Sequence, residues 1–351
     1  MLINNQIVTT AVWLCSITIT LSFTPESQHQ VNLRLKASRL DDYDIHRRAF
    51  LGSVASIPAA TFTTLSDSAY ALDQQIIDCL QDLSPKSPNA VRLYLCRHGQ
   101  TENNRLHMVQ GSRIDPPLNT NGILMANRLG ETLRRTIPQS LSRIYHSPLL
   151  RAQQTAECIR SQCQIPNNLI QPLPTLAEVD FGPSAEGQPE PRLHALETYL
   201  EWSRGNIDVR PAPDGESCRD IWTRCASALT TMACTNMGGN NQSQHVVAVS
   251  HSAYIRMMLA LLRGVEESTN NNLGATGNRL GLSSLVTAAT ERQNNANINV
   301  VDIDRTAPMQ SISERDFFTP TPSLPKFSIV LPKTKILRVN EICHLQGIPT
   351  A

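Results

Sequence analysis

Short apolar runs rich in β-branched and aromatic residues recur along the chain, and segments with helix start signals separate them. Buried strands are predicted where these runs occur, at residues 91–96, 143–147, 245–250, 298–303 and 334–339. Helices are predicted between them, at about residues 122–136, 148–163, 216–233 and 252–262. Because strands alternate with helices, the pattern predicts an α/β fold, a three-layer αβα sandwich with a mostly parallel central sheet.

Two polar segments interrupt this alternation. Residues 264–297 and 305–333 are rich in Asn, Ser, Thr and Pro, which are typical of turns and surface loops. We therefore expect both to be mostly surface insertions in one domain that covers residues 72–351.

The first 71 residues have a different pattern, which resembles two targeting signals in series. Residues 7–23 form an apolar run near the length of a signal-peptide core, and residues 24–46 are polar without clear periodicity. Arg47-Arg48 then precedes a second apolar run at 49–65 and the small-x-small sequence Ala69-Tyr70-Ala71.

This order predicts a presequence over residues 1–71, with a signal-like part at 1–23, a transit-like part at 24–46 and a twin-arginine signal at 47–71. A double signal of this kind resembles the routing of nuclear-encoded proteins into the thylakoid lumen. We expect a plastid protein of the lumen, with no stable membrane insertion after processing. The alternative is that Ala49–Leu65 is a helix of a larger domain, but it contains Pro58 and has no amphipathic stripe.

Charge and cysteine content narrow the function classes. The formal net charge is +1, and no basic stripe of the kind that binds nucleic acid is visible, so a nucleic-acid partner is not expected. The nine cysteines form no Cys-x-x-Cys pair and no paired Cys/His ligand set, which argues against a metal site. Most of them are expected to be buried small side chains, and disulfides stay open if the compartment is oxidising. The sequence indicates no oligomeric state.

Polar residues of catalytic type follow the predicted strands. Arg97 and His98 follow the first strand, Arg151 lies in the first turn after the second, and His251 follows the third. Glu178 lies in a loop region. Because ligands of open α/β sheets bind at the carboxyl ends of the strands, we expect these side chains to converge there.

Such a set suits phosphoryl transfer. The reaction needs a nucleophile in line with the leaving oxygen and fixed positive charge around the other phosphate oxygens, which arginine forks supply. A neutral imidazole can attack phosphorus, a second imidazole can donate to the developing charge, and a helix opening at Ser252 adds backbone N–H donors. A carboxyl group can protonate the leaving oxygen. No metal or other cofactor is required.

The motifs that carry these residues resemble those of the histidine phosphatase (phosphoglycerate mutase-like) superfamily. Seven segments match its order along the chain: LYLCRHGQTENN (93–104), MVQGSRIDPPLNTNG (108–122), SPLLRAQQTAE (147–157), LAEVDFG (176–182) followed by EG, PDGES (213–217), VAVSHSAYIR (247–256) and VNEICHL (339–345). The resemblance implies a phosphohistidine on His98, proton donation by Glu178, and phosphate binding by Arg97, Arg151 and His251. It further implies substrate contacts from Gln100, Thr101, Asn104, Gly111 and Ser252.

The implied function is hydrolysis of a phosphomonoester, on either a phosphorylated small molecule or a phosphoprotein. Mutase-type phosphoryl transfer and a catalytically weak phosphate-binding module are the alternatives. Two residues depart from the family pattern, since Ser252 stands where many members have Gly and Ala185 where many phosphatase-type members have Trp. The paired basic residues that mutases place after the acid residue have no counterpart after Glu178, which favours hydrolysis.

Overall fold

The computed structural model divides into two compact units, residues 1–71 and 72–351. It describes residues 18–22, 32–36, 80, 82–84, 86–137, 141–189, 192–234, 244–269, 281–313, 318 and 326–349. In the first unit, β1 (Thr18–Ser22) pairs antiparallel with β2 (Asn32–Lys36). The predicted twin-arginine signal lies outside the described residues. The second unit begins one residue after the predicted cleavage sequence, and targeting itself stays a prediction.

A six-stranded sheet with helices on both faces forms the second unit. Its sheet strands are β3 (Ala90–Arg97), β4 (Leu141–His146), β5 (Ile170–Pro172), β6 (Gln244–Ser250), β7 (Ile298–Asp304) and β10 (Lys333–Glu341). A separate hairpin consists of β8 (Gln310–Ser313) and β9 (Ser328–Leu331). The helices are α1 (Glu102–Arg105), α2 (Thr120–Thr136), α3 (Leu150–Cys163), α4 (Arg192–Ser203), α5 (Cys218–Ala233), α6 (Ser252–Thr269) and α7 (Gly281–Thr290).

The order of the strands in the sheet is β10-β7-β3-β6-β4-β5. Strands β3, β6, β4 and β5 are parallel, whereas β7 is antiparallel to both β3 and β10. The predicted fold class, α/β with a mostly parallel central sheet, is confirmed.

Alternate residues of the central strands pack into two separate cores, one on each face of the sheet. Leu93 and Leu95 of β3 join a core with α5 and α6, and Tyr94 and Cys96 join the other core with α2 and α3. Both sides of the sheet are therefore covered, which explains why its central strands are continuous apolar runs rather than alternating ones.

The prediction of surface insertions is wrong for much of what is described of residues 264–297 and 305–333. Helix α6 extends to Thr269, beyond the predicted end near Leu262, and Leu285 of α7 is fully buried. Ile312 and Leu331 of the β8–β9 hairpin are buried in the core with α5 and α6. These segments mix a few apolar residues into a polar composition, and the apolar residues are the ones that pack.

Two further predictions concern membranes and cysteines. Within the described ranges, no helix combines the length and apolar character needed to cross a bilayer. Cys218 and Cys225 of α5 are fully buried, as expected for most of the cysteines, whereas Cys158 and Cys163 of α3 are half-buried. Among the described residues, Cys343 is disulfide-bonded, and the free thiols are Cys96, Cys158, Cys163, Cys218, Cys225 and Cys234.

Candidate active site

The carboxyl ends of three adjacent parallel strands bring the predicted residues to one edge of the sheet. Arg97, the last residue of β3, lies opposite Ser250, the last residue of β6. His98 and His251 follow directly, and their ring centroids are 5.0 Å apart. Strand β4 pairs with the other side of β6, so α3, which begins one residue before Arg151, starts at the same edge.

His98 is a buried imidazole in a defined tautomer. Its Nδ1 lies 2.7 Å from the carbonyl oxygen of Gly99. Since a carbonyl oxygen can only accept a hydrogen bond, Nδ1 carries the proton, and the lone pair of the neutral ring is on Nε2. Burial, reinforced by the positive charges of Arg151 and Arg97, holds the pKa of His98 well below its usual range. The ring is therefore a neutral nitrogen nucleophile at neutral pH.

His251 is fully buried, and only one of its two ring nitrogens has a hydrogen-bond partner among the described residues. Its Nε2 lies 2.7 Å from the Oγ of Ser147, the residue after β4. Its Nδ1 is buried and has no hydrogen-bond partner among the described residues. Burial lowers the pKa of His251 well below its usual range, and the nearby Arg151 acts in the same direction. Nδ1 is thus the atom left for an oxygen of a substrate.

Arg151 is 1% exposed, and protein oxygens hold the ends of its guanidinium group. Nη1 donates to the carbonyl of Ile114 at 2.9 Å and to Asp115 Oδ1 at 3.1 Å, while Nη2 donates to the carbonyl of Gly111 at 2.7 Å. Its Nε is buried without a partner among the described residues. Burial lowers the pKa of Arg151. The guanidinium group nevertheless stays charged, because its ordinary pKa is far above neutral pH.

The loop that supplies these carbonyl oxygens is fixed by a buried carboxylate. Glu186 accepts hydrogen bonds from the backbone amides of Ser112, Arg113 and Ile114, the shortest of them 2.8 Å. Gly111 has a φ of 60°, and a Cβ at this position would lie 2.0 Å from Glu186 Oε1. The carbonyl of Gly111 thus helps to hold Arg151, and the substrate contact predicted for Gly111 stays a prediction.

Glu178 is 7% exposed. It belongs to a loop, and its carboxyl group contacts the N-terminus of α6. Its Oε1 accepts from the amides of Val179 and Tyr254, both at 2.9 Å, and Oε2 accepts only a longer bond of 3.3 Å from Ala253. The helix N-terminus that was predicted to bind phosphate thus gives two of its first three amides to Glu178. The amide of Ser252 makes neither of these bonds to Glu178.

Gln100, Thr101 and Asn104, the other predicted substrate contacts, differ in how far the protein's own hydrogen bonds occupy their side chains. Thr101 caps α1, and Gln100 accepts from the side chains of Asn119 and Asn121, so the described side-chain bonds of both run to protein groups. Asn104 Oδ1 accepts from Thr101, with bonds from both its amide and its hydroxyl. Because these bonds fix Oδ1 towards Thr101, Nδ2 of Asn104 points away from Thr101, and no described residue accepts a hydrogen bond from it.

Sequence reasoning missed the residues that hold the site in place. Ser147 and Glu186 carry signals that could have found them, because each stands in a segment that resembles a family motif. Gln293 accepts a 2.6 Å bond from Arg97 Nη1 through its carbonyl oxygen, and it lies in a segment predicted to be surface.

A sequence model of the histidine phosphatase superfamily (branch 1) matches residues 93–302, more than half of the chain. The chain belongs to the histidine phosphatase superfamily. The matched range includes Arg97, His98, Arg151, Glu178 and His251.

Similar proteins carry names of two kinds. Phosphoglycerate mutase-like protein 4 of Arabidopsis thaliana is 28% identical over 172 residues, which cover 47% of this chain and 68% of that protein. Fructose-2,6-bisphosphatase TIGAR of Xenopus laevis is 30% identical over 143 residues, which cover 40% of this chain and 49% of TIGAR. The structure of mycobacterial hydrolase 2 has a TM-score of 0.50 at 20% identity, covering 72% of this chain and 91% of that one, which shows a similar fold.

The buried histidines predict a loss of stability in acid. Burial lowers the pKa of His245 to about 4 and that of His344 to about 4, against about 6.5 in an unfolded chain. Below pH 6.5 the unfolded chain binds more protons than the folded one, so the free energy of unfolding falls as the pH falls from 6.5 towards 4. Each histidine should cost about 2 kcal/mol by pH 5, measured by urea unfolding across this range.

His344→Gln provides the comparison, because the Gln amide can still donate to the carbonyl of Ala296, which His344 Nε2 contacts at 2.9 Å. The slope of unfolding free energy against pH should drop by about one proton, or about 1.4 kcal/mol per pH unit. Equal slopes for the two proteins between pH 5 and 6 would contradict the buried neutral state of His344.

Proposed function

We propose that the protein hydrolyses phosphomonoesters through a phosphohistidine on His98, with Glu178 as the proton donor. The observation that carries the proposal is a pair of orphaned buried nitrogens, Nε of Arg151 and Nδ1 of His251, next to a neutral His98. An unpaired buried polar atom costs about 1–3 kcal/mol. A bound phosphoryl group would satisfy both nitrogens while presenting its phosphorus to the third.

The reaction follows from the tautomer and charges described above. Nε2 of His98 attacks phosphorus, the bond to the leaving oxygen breaks, and Glu178 transfers a proton to that oxygen. Arg97, Arg151 and His251 stabilise the negative charge on the other three oxygens. Water, deprotonated by Glu178, then attacks the phosphohistidine, which releases inorganic phosphate and restores neutral His98.

Oε2 is the oxygen of Glu178 that suits the proton transfer. Two short amide bonds occupy Oε1, whereas Oε2 accepts one long bond, so a proton on Oε2 competes least with the helix amides. The bonds from Ala253 and Tyr254 hold the carboxyl group at the first turn of α6, the helix that begins one residue after His251.

Hydrolysis is favoured over mutase activity by the segment after the acid residue. Residues 179–189 contain no Lys, Arg or His that could hold the carboxylate of a sugar acid. Within this segment Asp180 pairs with Arg113, and Glu186 binds backbone amides, so its charged groups serve the protein. The mutase and bisphosphatase names of the relatives leave the substrate class open between phosphorylated small molecules and phosphoproteins.

A panel of phosphomonoesters, assayed with the full chain in EDTA, tests the proposal. Inorganic phosphate should be released from several esters. Exchange of the phosphoryl group between positions of a phosphoglycerate without phosphate release would instead indicate a mutase. Phosphate binding without either reaction would indicate a binding module.

Replacing Glu178 by glutamine should separate substrates by leaving group. Alkyl phosphates need a proton on the leaving oxygen, so their kcat should fall by about 10²-fold or more. Activated aryl phosphates such as p-nitrophenyl phosphate should lose less than about tenfold, because their leaving group departs as an anion. The exposed Glu157 of α3 provides a matched control, Glu157→Gln, which should leave both rates unchanged. Equal losses on both substrates would contradict the role of Glu178 as the acid.

A further inference from the structure

The turn at residues 293–297 lies against the end of β3 and is hydrogen-bonded to Arg97 and His98. The carbonyl of Gln293 accepts from Arg97 Nη1 at 2.6 Å, and the side-chain oxygen of Asn297 accepts from the Arg97 amide at 3.2 Å. The amide of Ala296 donates to the carbonyl of His98 at 3.1 Å. The guanidinium group of Arg97 and the backbone that carries the nucleophile are therefore both fixed by this turn.

Asn295 contacts both the backbone of His98, the proposed nucleophile, and the side chain of Asn104, the predicted phosphate ligand. Its side chain is 2% exposed, and Nδ2 lies 3.2 Å from the carbonyl oxygen of His98 and 3.3 Å from that of Gly99. The same nitrogen lies 3.0 Å from Asn104 Oδ1. An amide nitrogen with two hydrogens thus faces three acceptor oxygens, a position that no carboxylate could occupy without repulsion.

The turn is itself held from the side of β10. Asn340 Oδ1 accepts from the amide of Asn294 at 2.9 Å and from Asn297 Nδ2 at 2.7 Å. His344 Nε2 donates to the carbonyl of Ala296 at 2.9 Å. Buried hydrogen-bonded networks of this kind are rigid. The bonds from Asn340 and His344 therefore fix the turn that carries Asn295.

We propose that Asn295 is a positioning residue for phosphoryl transfer, which keeps the His98 backbone and Asn104 in one arrangement. The inference rests on the proposed function, since it concerns the alignment of His98 Nε2 with a phosphorus atom held partly by Asn104. In-line attack tolerates little displacement, and a shift of about 1 Å can cost about 10²-fold in rate. Asn295 contacts neither reacting atom and acts only through the groups that it holds.

Asn295→Ala in the full chain should lower kcat about 10- to 100-fold and change KM less than about threefold. Its matched control is Asn294→Ala, because the described side-chain bond of Asn294 is a single one of 3.4 Å to Asn340, and kcat should stay within about twofold. Thermal unfolding of each variant separates stability from positioning. A lower melting temperature with unchanged kcat would overturn the proposal.

Binding of two anions gives a readout that does not need turnover. Orthovanadate adopts the five-coordinate geometry of the transition state by bonding to His98 Nε2, whereas inorganic phosphate binds without that bond. Asn295→Ala should weaken vanadate at least tenfold and phosphate less than about threefold. If the wild-type chain releases no phosphate and binds neither anion, the proposed function fails. If the wild type is active and Asn295→Ala matches it for kcat and vanadate, this inference alone fails.

Asn295→Asp provides a second variant should the alanine protein not fold. At neutral pH its carboxylate would face three acceptor oxygens, and at low pH the protonated acid could donate one hydrogen bond. The ratio of its kcat to the wild-type kcat should rise at least tenfold between pH 7.5 and pH 5. A ratio that does not change with pH would overturn the requirement for a donor at this position.

Discussion

Replacing His98 by asparagine is expected to lower the turnover of every phosphomonoester at least about 10⁴-fold, because the amide nitrogen of asparagine has no free lone pair with which to accept the phosphoryl group. Asparagine retains a polar side chain of smaller size, and the backbone carbonyl of His98, which Ala296 and Asn295 contact, is unaffected. Inorganic phosphate should still bind, since both arginines and His251 remain. Acid-labile phosphate on the protein, trapped by rapid quenching, should disappear together with turnover.

His107→Asn is the matched control for this variant. His107 is exposed and has a φ of 53°, a conformation that asparagine tolerates better than most residues. Its turnover should equal that of the wild type. Substantial turnover by His98→Asn, with phosphate still trapped on the protein, would place the phosphoenzyme on another residue and remove the basis of the mechanism.

The fold, and the convergence of Arg97, His98, Arg151 and His251 at one edge of the sheet, could be predicted from the sequence. Buried parallel strands are continuous apolar runs, so β3 and β6 are visible, and the residues directly after them must lie at one edge of the sheet. Arg97, His98 and His251 stand at those positions. Arg151 follows from the helix that starts after β4.

The supporting groups could not be predicted in the same way. Gln293, Asn295, Asn297 and Asn299 are each at most 2% exposed. The first three lie in a segment whose composition is that of a surface loop, and Asn299 is a polar residue within the predicted strand at 298–303. Sequence patterns detect burial through apolar side chains, whereas these amides are buried because they satisfy one another and the backbone of the active site. Asn299, for example, donates to the carbonyl of Leu95 and to Gln293. The spacing of two among these residues does not reveal their burial, because polar residues at alternate positions are typical of the exposed side of a strand.

The same limit applies to the helix N-terminus at Ser252. Its positive end predicts an anion site, but the group that accepts from the amides of Ala253 and Tyr254 is the carboxyl of Glu178. The sequence places Glu178 in a loop and cannot show which amides it meets. As a consequence, the proposed proton donor Glu178 is hydrogen-bonded to the first turn of α6, the helix that begins directly after His251.

Replacing Arg151 by lysine should lower kcat/KM about 10²- to 10³-fold, although the positive charge is kept. The guanidinium group uses Nη1 and Nη2 on three protein oxygens and still has Nε for the substrate. A single ammonium group cannot bind Asp115 and the Gly111 carbonyl and also reach a phosphate oxygen, because its donors diverge from one point. Binding and turnover should both suffer, so KM should rise while kcat falls.

Arg160→Lys, on the same helix and paired with Glu157, tests whether any arginine of α3 matters, and its kcat/KM should not change. If Arg151→Lys also stayed within about threefold of the wild type, positive charge alone would suffice, and the fork geometry would be irrelevant. The two outcomes differ in what they require of Gly111, Ile114 and Asp115. A fork needs these oxygens to hold it in one plane, whereas a simple charge does not, so variants of Asp115 should impair activity only if Arg151 acts through its geometry.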